Sequence, residues 1–231
     1  MQNELLLIGS VFVIFLGTLL FYYFFGKTGL YCWTVLGTIA ANIEVLIMID
    51  AFGMEQTLGN VLFASTFLVT DILSEVYGKE ASKKAVNIGI MASLMFIILS
   101  QYWLQYTPGQ SDWAMPSMQT IFSNTPRLML ASLVVYAICQ RFDVWAYHKW
   151  WAFTEKKFGS HDKYLWLRNN GSTLISQLLN TFLYTFAAFA GLYSFPVLMS
   201  IVGSSYVIFI VTSLADTPVI YLARKIKPRS E

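Results

Sequence analysis

The chain has 231 residues, 56% of them hydrophobic and only 12% charged, with a mean hydropathy of +0.57. Soluble domains carry about a quarter charged residues, so this balance excludes an ordinary soluble domain and describes one integral membrane domain over residues 1–231. The formal net charge of +2 says little as a total, but its distribution along the chain says much.

Apolar runs predict seven spans, at roughly 4–25, 29–51, 56–77, 84–105, 124–148, 168–193 and 197–223. At about 1.5 Å per residue, each is long enough to cross about 30 Å of hydrocarbon. The first span also fits a peripheral or tilted helix. The fold class is therefore all-α, a polytopic membrane helical bundle of six or seven transmembrane helices. Met1-Gln2-Asn3-Glu4 lacks the basic start of a cleaved signal peptide. Cys32 and Cys139 lie in apolar segments without metal-like spacing and read as buried, inert thiols.

If the spans alternate in direction, 14 of the 15 Lys and Arg residues fall toward one face of the membrane. The opposite loops hold Asp50, Glu55 and Asp112 and no lysine. Positive-inside bias makes the basic face cytoplasmic, with the N-terminus outside and the C-terminus inside. Arg127 breaks the pattern at the outer start of the fifth span. It either snorkels to the interface or faces inward toward a carboxylate or a solute.

Two connections are long. The outer one, Tyr106 to Ser123, is expected to lie over the external mouth. The cytoplasmic one, Lys149 to Leu167, mixes lysines with tryptophans and suits a loop in the headgroup region better than a nucleic-acid surface. His148 and His161 are too isolated to suggest a metal site.

Polar residues form helical stripes. Asn60, Ala64, Phe67, Asp71 and Glu75 share a face of the third span, with Asp71 about 16 Å along the helix from Asn60. Ser132, Tyr136, Gln140, Asp143 and Tyr147 line the fifth, and Asn169, Thr173, Ser176, Gln177, Asn180 and Tyr184 the sixth. Hydroxyl and amide stripes serve to hold helices together, but that role needs no ionisable group. Asp71, Glu75 and Asp216, and Glu44 near a span end, therefore point to a polar transport path. A weak internal repeat relates 29–80 to 168–225, setting Asp71 opposite Asp216 across one cavity. Such a lining suits a small, planar, non-anionic solute whose edge is read by amides and carboxylates.

The longest motif is Thr70-Asp71-Ile72-Leu73-Ser74-Glu75-Val76-Tyr77-Gly78-Lys79. With Ala41-Asn42-Ile43, Leu58-Gly59-Asn60, Arg127-Leu128 to Ser132-Leu133, and Arg168-Asn169-Asn170-Gly171-Ser172-Thr173 to Ser176-Gln177, it resembles the queuosine-precursor transporter family, also called the vitamin-uptake-transporter class. That resemblance implies uptake across a bacterial inner membrane of 7-cyano-7-deazaguanine, 7-aminomethyl-7-deazaguanine or queuine, for tRNA modification. It also implies a fold like the substrate-binding subunits of energy-coupling-factor transporters. The alternative is such a subunit itself, working with a separate ATPase module. The chain carries no Walker-type nucleotide motif of its own.

On this reading Asp71 or Glu75 accepts from the guanine edge, Gln177, Asn180 and Asn42 supply amide contacts, and Asp216 or Arg127 completes or gates the pocket. Glu44, Asn60, Asn170 and Thr173 complete the set of candidate substrate-binding residues. Asn180 stands where an acidic residue is expected in the family. No enzymatic role, cofactor, metal or nucleic-acid partner is expected. The expected partners are a deazaguanine and the bilayer, with a homo-oligomer left open, and a buried carboxylate can couple proton and solute movement.

Overall fold

The computed structural model describes residues 2–123, 126–159 and 164–229. Helix α1, Gln2–Glu44, has 43 residues, about twice the length needed to cross a bilayer. It is two limbs rather than one rod. Gly26 has φ 56° and ψ −137°, a conformation open to glycine but strained for other residues. A methyl group added to Gly17 would meet the Trp33 ring at 2.5 Å, and one on Gly29 the Phe21 carbonyl oxygen at 2.0 Å. In a straight helix residues 17 and 33 would be about 24 Å apart, so the limbs fold back on each other. Asn3 Nδ2 accordingly donates to the Asp50 carbonyl, 2.9 Å away, beyond the far end of α1. The first limb is an integral part of the bundle: Phe15 and Tyr22 pack in one core with Leu68, Ile72 and Ile220.

The second predicted span, 29–51, stops short. Helix α1 ends at Glu44, and β1, Met48–Ala51, pairs antiparallel with β2, Met54–Thr57. The intervening Phe52 and Gly53 have φ 54° and 73°, which makes a tight hairpin turn with the twist that two strands require. The apolar run through Met48 and Ile49 concealed this break. The hairpin ends pack with Leu7, Val61 and Ile208.

The remaining helices are α2, Gly59–Tyr77; α3, Lys79–Trp103; α4, Met115–Ser123; α5, Pro126–Phe158; α6, Leu165–Phe189; and α7, Phe195–Ala223. Gly78, at φ 82°, separates α2 from α3. Helix α2 is the axis of the bundle, packed by α1, α3, α5 and α7, while α6 lies against α5 and α7. Among the described residues five helices, α1, α2, α3, α5 and α7, are long and apolar enough to cross a membrane by length and composition. The amides and hydroxyls of α6 lower its hydropathy but are turned into the protein. With α1 counted as two limbs and α6 included, the described residues form an all-α polytopic membrane bundle with seven helical segments long enough to cross.

The predicted loop from Lys149 to Leu167 is largely helical. Helix α5 continues to Phe158, and α6 begins at Leu165. No glycine or proline interrupts α5 until Gly159, so nothing stops the helix where the charges begin. His161 and Lys163 lie outside the described residues. In the outer connection, α4 packs on α3 and α5, burying Phe122 with Phe96, Ile97 and Met129. Gln101 Nε2 donates to the Phe122 carbonyl at 2.9 Å. Cys139 is buried as expected, whereas Cys32 is exposed on the surface of α1.

The turns at Gly26 and Gly78 and the C-terminal tail meet at one end. Lys27 lies over the Tyr77 ring at 5.4 Å, and the Arg229 amide donates to the Tyr23 carbonyl at 2.7 Å. The hairpin, α4 and Arg127 mark the other end.

Candidate functional site

Between the second limb of α1 and helices α2, α5, α6 and α7 lies a cavity of ≈ 40 Å³, lined by Asn60, Phe63, Ser132, Asn180, Tyr184 and Phe209 among others. A pocket of ≈ 10 Å³ adjoins it through Ala41, Phe63 and Ser132, and adds Asn42, Ser93 and Tyr136. Among the described residues, Asn42 Oδ1, Asn60 Nδ2, Tyr136 Oη and Tyr184 Oη are buried here without a hydrogen-bond partner. Buried polar groups in native proteins are nearly always paired, so four such atoms around one space mark a place for a polar guest. They offer an acceptor, a donor and two hydroxyls that serve as either, which suits a solute edge carrying both kinds of group.

Each of these side chains is held in place. Asn42 Nδ2 donates to the Thr38 carbonyl at 2.7 Å, which leaves its oxygen uncommitted. Thr57 donates to Asn60 Oδ1 at 3.4 Å, leaving the amide nitrogen. Phe63 stands at the centre, its ring meeting Tyr136 at 6.1 Å and Phe209 at 6.3 Å in edge-to-face contacts. Gly89 makes room for Tyr136: a methyl group there would lie 2.1 Å from Oη.

An apolar floor lies one turn further along α2. Phe67, Val135 and Cys139 are at most 3% exposed and pack with Phe63 and Tyr184. Beside them Gln140 ties α5 to α2, donating to Thr66 at 2.7 Å and accepting from Thr70 at 3.2 Å.

Below the floor sit three buried carboxylates, Asp71, Asp143 and Asp216, each at most 3% exposed. Asp71 Oδ2 accepts from Thr173 at 3.1 Å, and its Oδ1 has no donor among the described residues. Asp143 Oδ1 accepts from Ser176 at 2.6 Å, and Asp216 Oδ1 from Asn169 at 2.9 Å. Asp143 and Asp216 are electrostatic neighbours of Asp71. Three buried carboxyl groups that act on one another, with so few donors, are costly to keep and mark a candidate polar path.

The innermost layer is an ion pair. Arg168 Nε donates to Glu75 Oε2 at 3.0 Å, and a second guanidinium nitrogen reaches Oε1. Tyr147 Oη adds 2.7 Å to Oε2, and Arg224 approaches Oε1 at 3.5 Å. The side chains of Arg168 and Glu75 are 0% and 2% exposed. Trp151 stacks under the guanidinium at 4.3 Å. Along α2 the order is thus Asn60 and Phe63 at the cavity, Phe67 at the floor, Asp71 in the carboxylate layer and Glu75 in the ion pair.

Residues 57–223 match a protein family described as "Putative vitamin uptake transporter". The chain belongs to this family. A "Probable queuosine precursor transporter" of Bacillus subtilis (strain 168) is 38% identical over 217 residues, covering 94% of this chain and 93% of the relative. No solved structure matches the chain at a significant level. Membership of the vitamin uptake transporter family implies a non-enzymatic role in a membrane.

In this chain the candidate residues divide into groups. Asn42, Asn60 and Asn180 reach the cavity. Gln177 is buried one turn from Asn180 on α6, its Oε1 without a partner among the described residues. Asp71, Thr173 and Asp216 belong to the carboxylate layer. Glu75 is committed to Arg168 and Tyr147. Asn170 donates to Thr217 at 2.8 Å and accepts from Ser213 at 3.2 Å, so it joins α6 to α7. Glu44 sits half-buried at the end of α1, beside the cavity-lining Val45.

Arg127 resolves the other way from an inward-facing role. It is exposed and donates to the carbonyls of Ala187 at 3.1 Å and Ala190 at 2.7 Å, capping the C-terminal end of α6. Sequence reasoning left four residues out of the candidate set. Tyr136, Tyr184 and Asp143 were visible in the polar stripes, while Arg168 stood among the basic residues at one end of the predicted spans.

Proposed function

We propose that the chain imports queuosine precursors, the deazaguanines 7-cyano-7-deazaguanine, 7-aminomethyl-7-deazaguanine or queuine, across a bacterial inner membrane. The observation that carries this reading is the set of unpartnered Asn42, Asn60, Tyr136 and Tyr184 atoms around Phe63. Amide and phenol groups match the mixed donor and acceptor edge of a guanine-like ring, and the phenyl rings offer faces for stacking. The relative's name supports the same substrate class.

A volume of ≈ 40 Å³ is far below the roughly 300 Å³ at which small-molecule pockets begin. The described conformation is therefore closed on this reading, and binding requires Phe63, Phe209 and Tyr136 to part. Asp71, Asp143 and Asp216 then form the next station, where a carboxylate meets the guanine edge or the amine of a precursor and exchanges a proton in step with transport. The basic end is cytoplasmic, placing the N-terminus outside.

The test is uptake of labelled queuine into liposomes containing only this chain, with and without an inward proton gradient. Uptake by the chain alone, accelerated by the gradient, is the expected result. Absence of uptake by folded protein would overturn the reading of a self-sufficient transporter.

A further inference from the structure

The basic end of the bundle holds a second concavity, separate from the solute cavity. Lys79 and Lys83 of α3 and Arg141 of α5 converge on a groove of ≈ 360 Å³ between the two helices, walled by Asn87 and Trp145. None of its described lining residues is acidic. Arg141 Nη2 donates to Asn87 Oδ1 at 3.3 Å, which holds the guanidinium at the groove. Lys83 also meets Glu80 at 2.7 Å, but the Glu80 side chain is 82% exposed, and a stronger anion displaces such a pair at little cost. Helix α3 begins at Lys79, so the positive end of a 25-residue helix adds to the same field.

Positive-inside bias asks only for basic residues on this side of the membrane. It does not require three of them, from two helices, to share one concavity. The groove also continues into a lipid-facing surface. On α3, Met91 and Met95 extend the Lys83 and Asn87 stripe at four-residue spacing, and on α5 Val134 and Ile138 continue the Arg141 and Trp145 stripe; all four are exposed. Trp145 is itself exposed, with Lys149 over its ring at 5.8 Å, as befits an anchor at headgroup level.

We infer that this groove binds the head group of an anionic phospholipid, with its acyl chains lying along α3 and α5. Three cations match a head carrying two phosphodiesters better than one carrying a single charge. Arg141 supplies a fork that grips a phosphate, and the lysines supply compact charge. Basic pockets between helices on the cytoplasmic side are the usual setting for such lipids.

Native mass spectrometry of the full chain in detergent, titrated with cardiolipin, phosphatidylglycerol and phosphatidylethanolamine, tests this. Cardiolipin should bind at one per chain, at least tenfold more tightly than phosphatidylethanolamine. The combined variant Lys79→Gln/Lys83→Gln/Arg141→Gln should lose on the order of a hundredfold in cardiolipin affinity, about fivefold per cation. Lys156→Gln/Lys157→Gln, which removes charge from the end of α5, should change it by less than about twofold. If the triple variant does not fold, Arg141→Gln alone carries the test, with about fivefold loss expected. Equal binding of the zwitterionic lipid, or equal loss in the two sets of variants, would overturn the site. Displacement of cardiolipin by inorganic pyrophosphate at equal concentration would assign the groove to a soluble phosphate instead.

Discussion

Thr173 on α6 donates its hydroxyl to Asp71 Oδ2 on α2 across 3.1 Å, while Asp71 Oδ1 is buried without a donor among the described residues. One oxygen is thus positioned by the fold and the other is left open, in a layer shared with Asp143 and Asp216. A carboxylate placed only to join two helices would have both oxygens paired. Asp143 shares this half-satisfied state, its Oδ1 accepting from Ser176 while its Oδ2 is buried without a partner among the described residues, so the two together are the candidates for meeting solute or proton on the proposed function.

Asp71→Asn keeps an oxygen for Thr173 and removes the charge. Uptake should fall about tenfold or more while membrane abundance stays near normal. Radiolabelled uptake normalised to immunoblotted protein reads both quantities. Unchanged uptake removes Asp71 from the transport path.

Glu75 tells a different story because its partners are already present. Glu75→Gln leaves Arg168 buried without its counter-charge, and breaking such a pair costs about 3–5 kcal/mol. The variant should accumulate poorly and unfold at lower temperature in detergent. Glu75→Gln/Arg168→Met removes both charges and should recover much of that stability. A well-folded Glu75→Gln protein with lost uptake would instead make Glu75 a transport residue.

Gly89 allows the Tyr136 ring to lie against α3. Gly89→Ala sets a methyl group 2.1 Å from the Tyr136 oxygen, so the ring must shift toward the cavity. Uptake should drop several-fold, because the displaced ring crowds the space that the solute must enter. Thermal unfolding followed alongside separates this from a folding defect.

Arg127→Gln loses the cap on α6 and the interaction of a cation with the helix C-terminus. The cost should be on the order of 1 kcal/mol in stability, with uptake within about twofold of the parent. A large loss of uptake at normal stability would return Arg127 to the solute path.

Much of this arrangement was legible because membrane helices show their polar faces plainly. The α6 stripe, read at helical spacing from Asn169 to Tyr184, is the face that meets α2, α5 and α7, and Asp71 stood out as an ionisable group in an apolar run. The fold-back in α1 was visible as a break between two spans around Gly26. Other features depend on distance in sequence. Glu75 and Arg168 are 93 residues apart, and Arg168 at a predicted span end looked like one more interfacial cation. Asp143 lay near the expected end of a span that instead runs to Phe158, so it read as shallower than it is. The β1–β2 hairpin was masked by methionine and isoleucine, which suit a helix end as well as a strand. Arg127 was ambiguous for a similar reason: an arginine at a membrane edge seeks any carbonyl within reach, and α6 happens to end there.

On the proposed function, the space around Phe63 takes a deazaguanine through Asn42, Asn60, Asn180 and the two tyrosines. Calorimetric titration of the purified full chain with queuine and the two 7-deazaguanine precursors, with guanine as competitor, tests it most directly. Micromolar or tighter binding of at least one of the three is expected, weakened about tenfold by Asn180→Leu in protein of unchanged thermal stability. Folded protein that binds none of them, or an Asn180→Leu variant that binds as well as the parent, would contradict it.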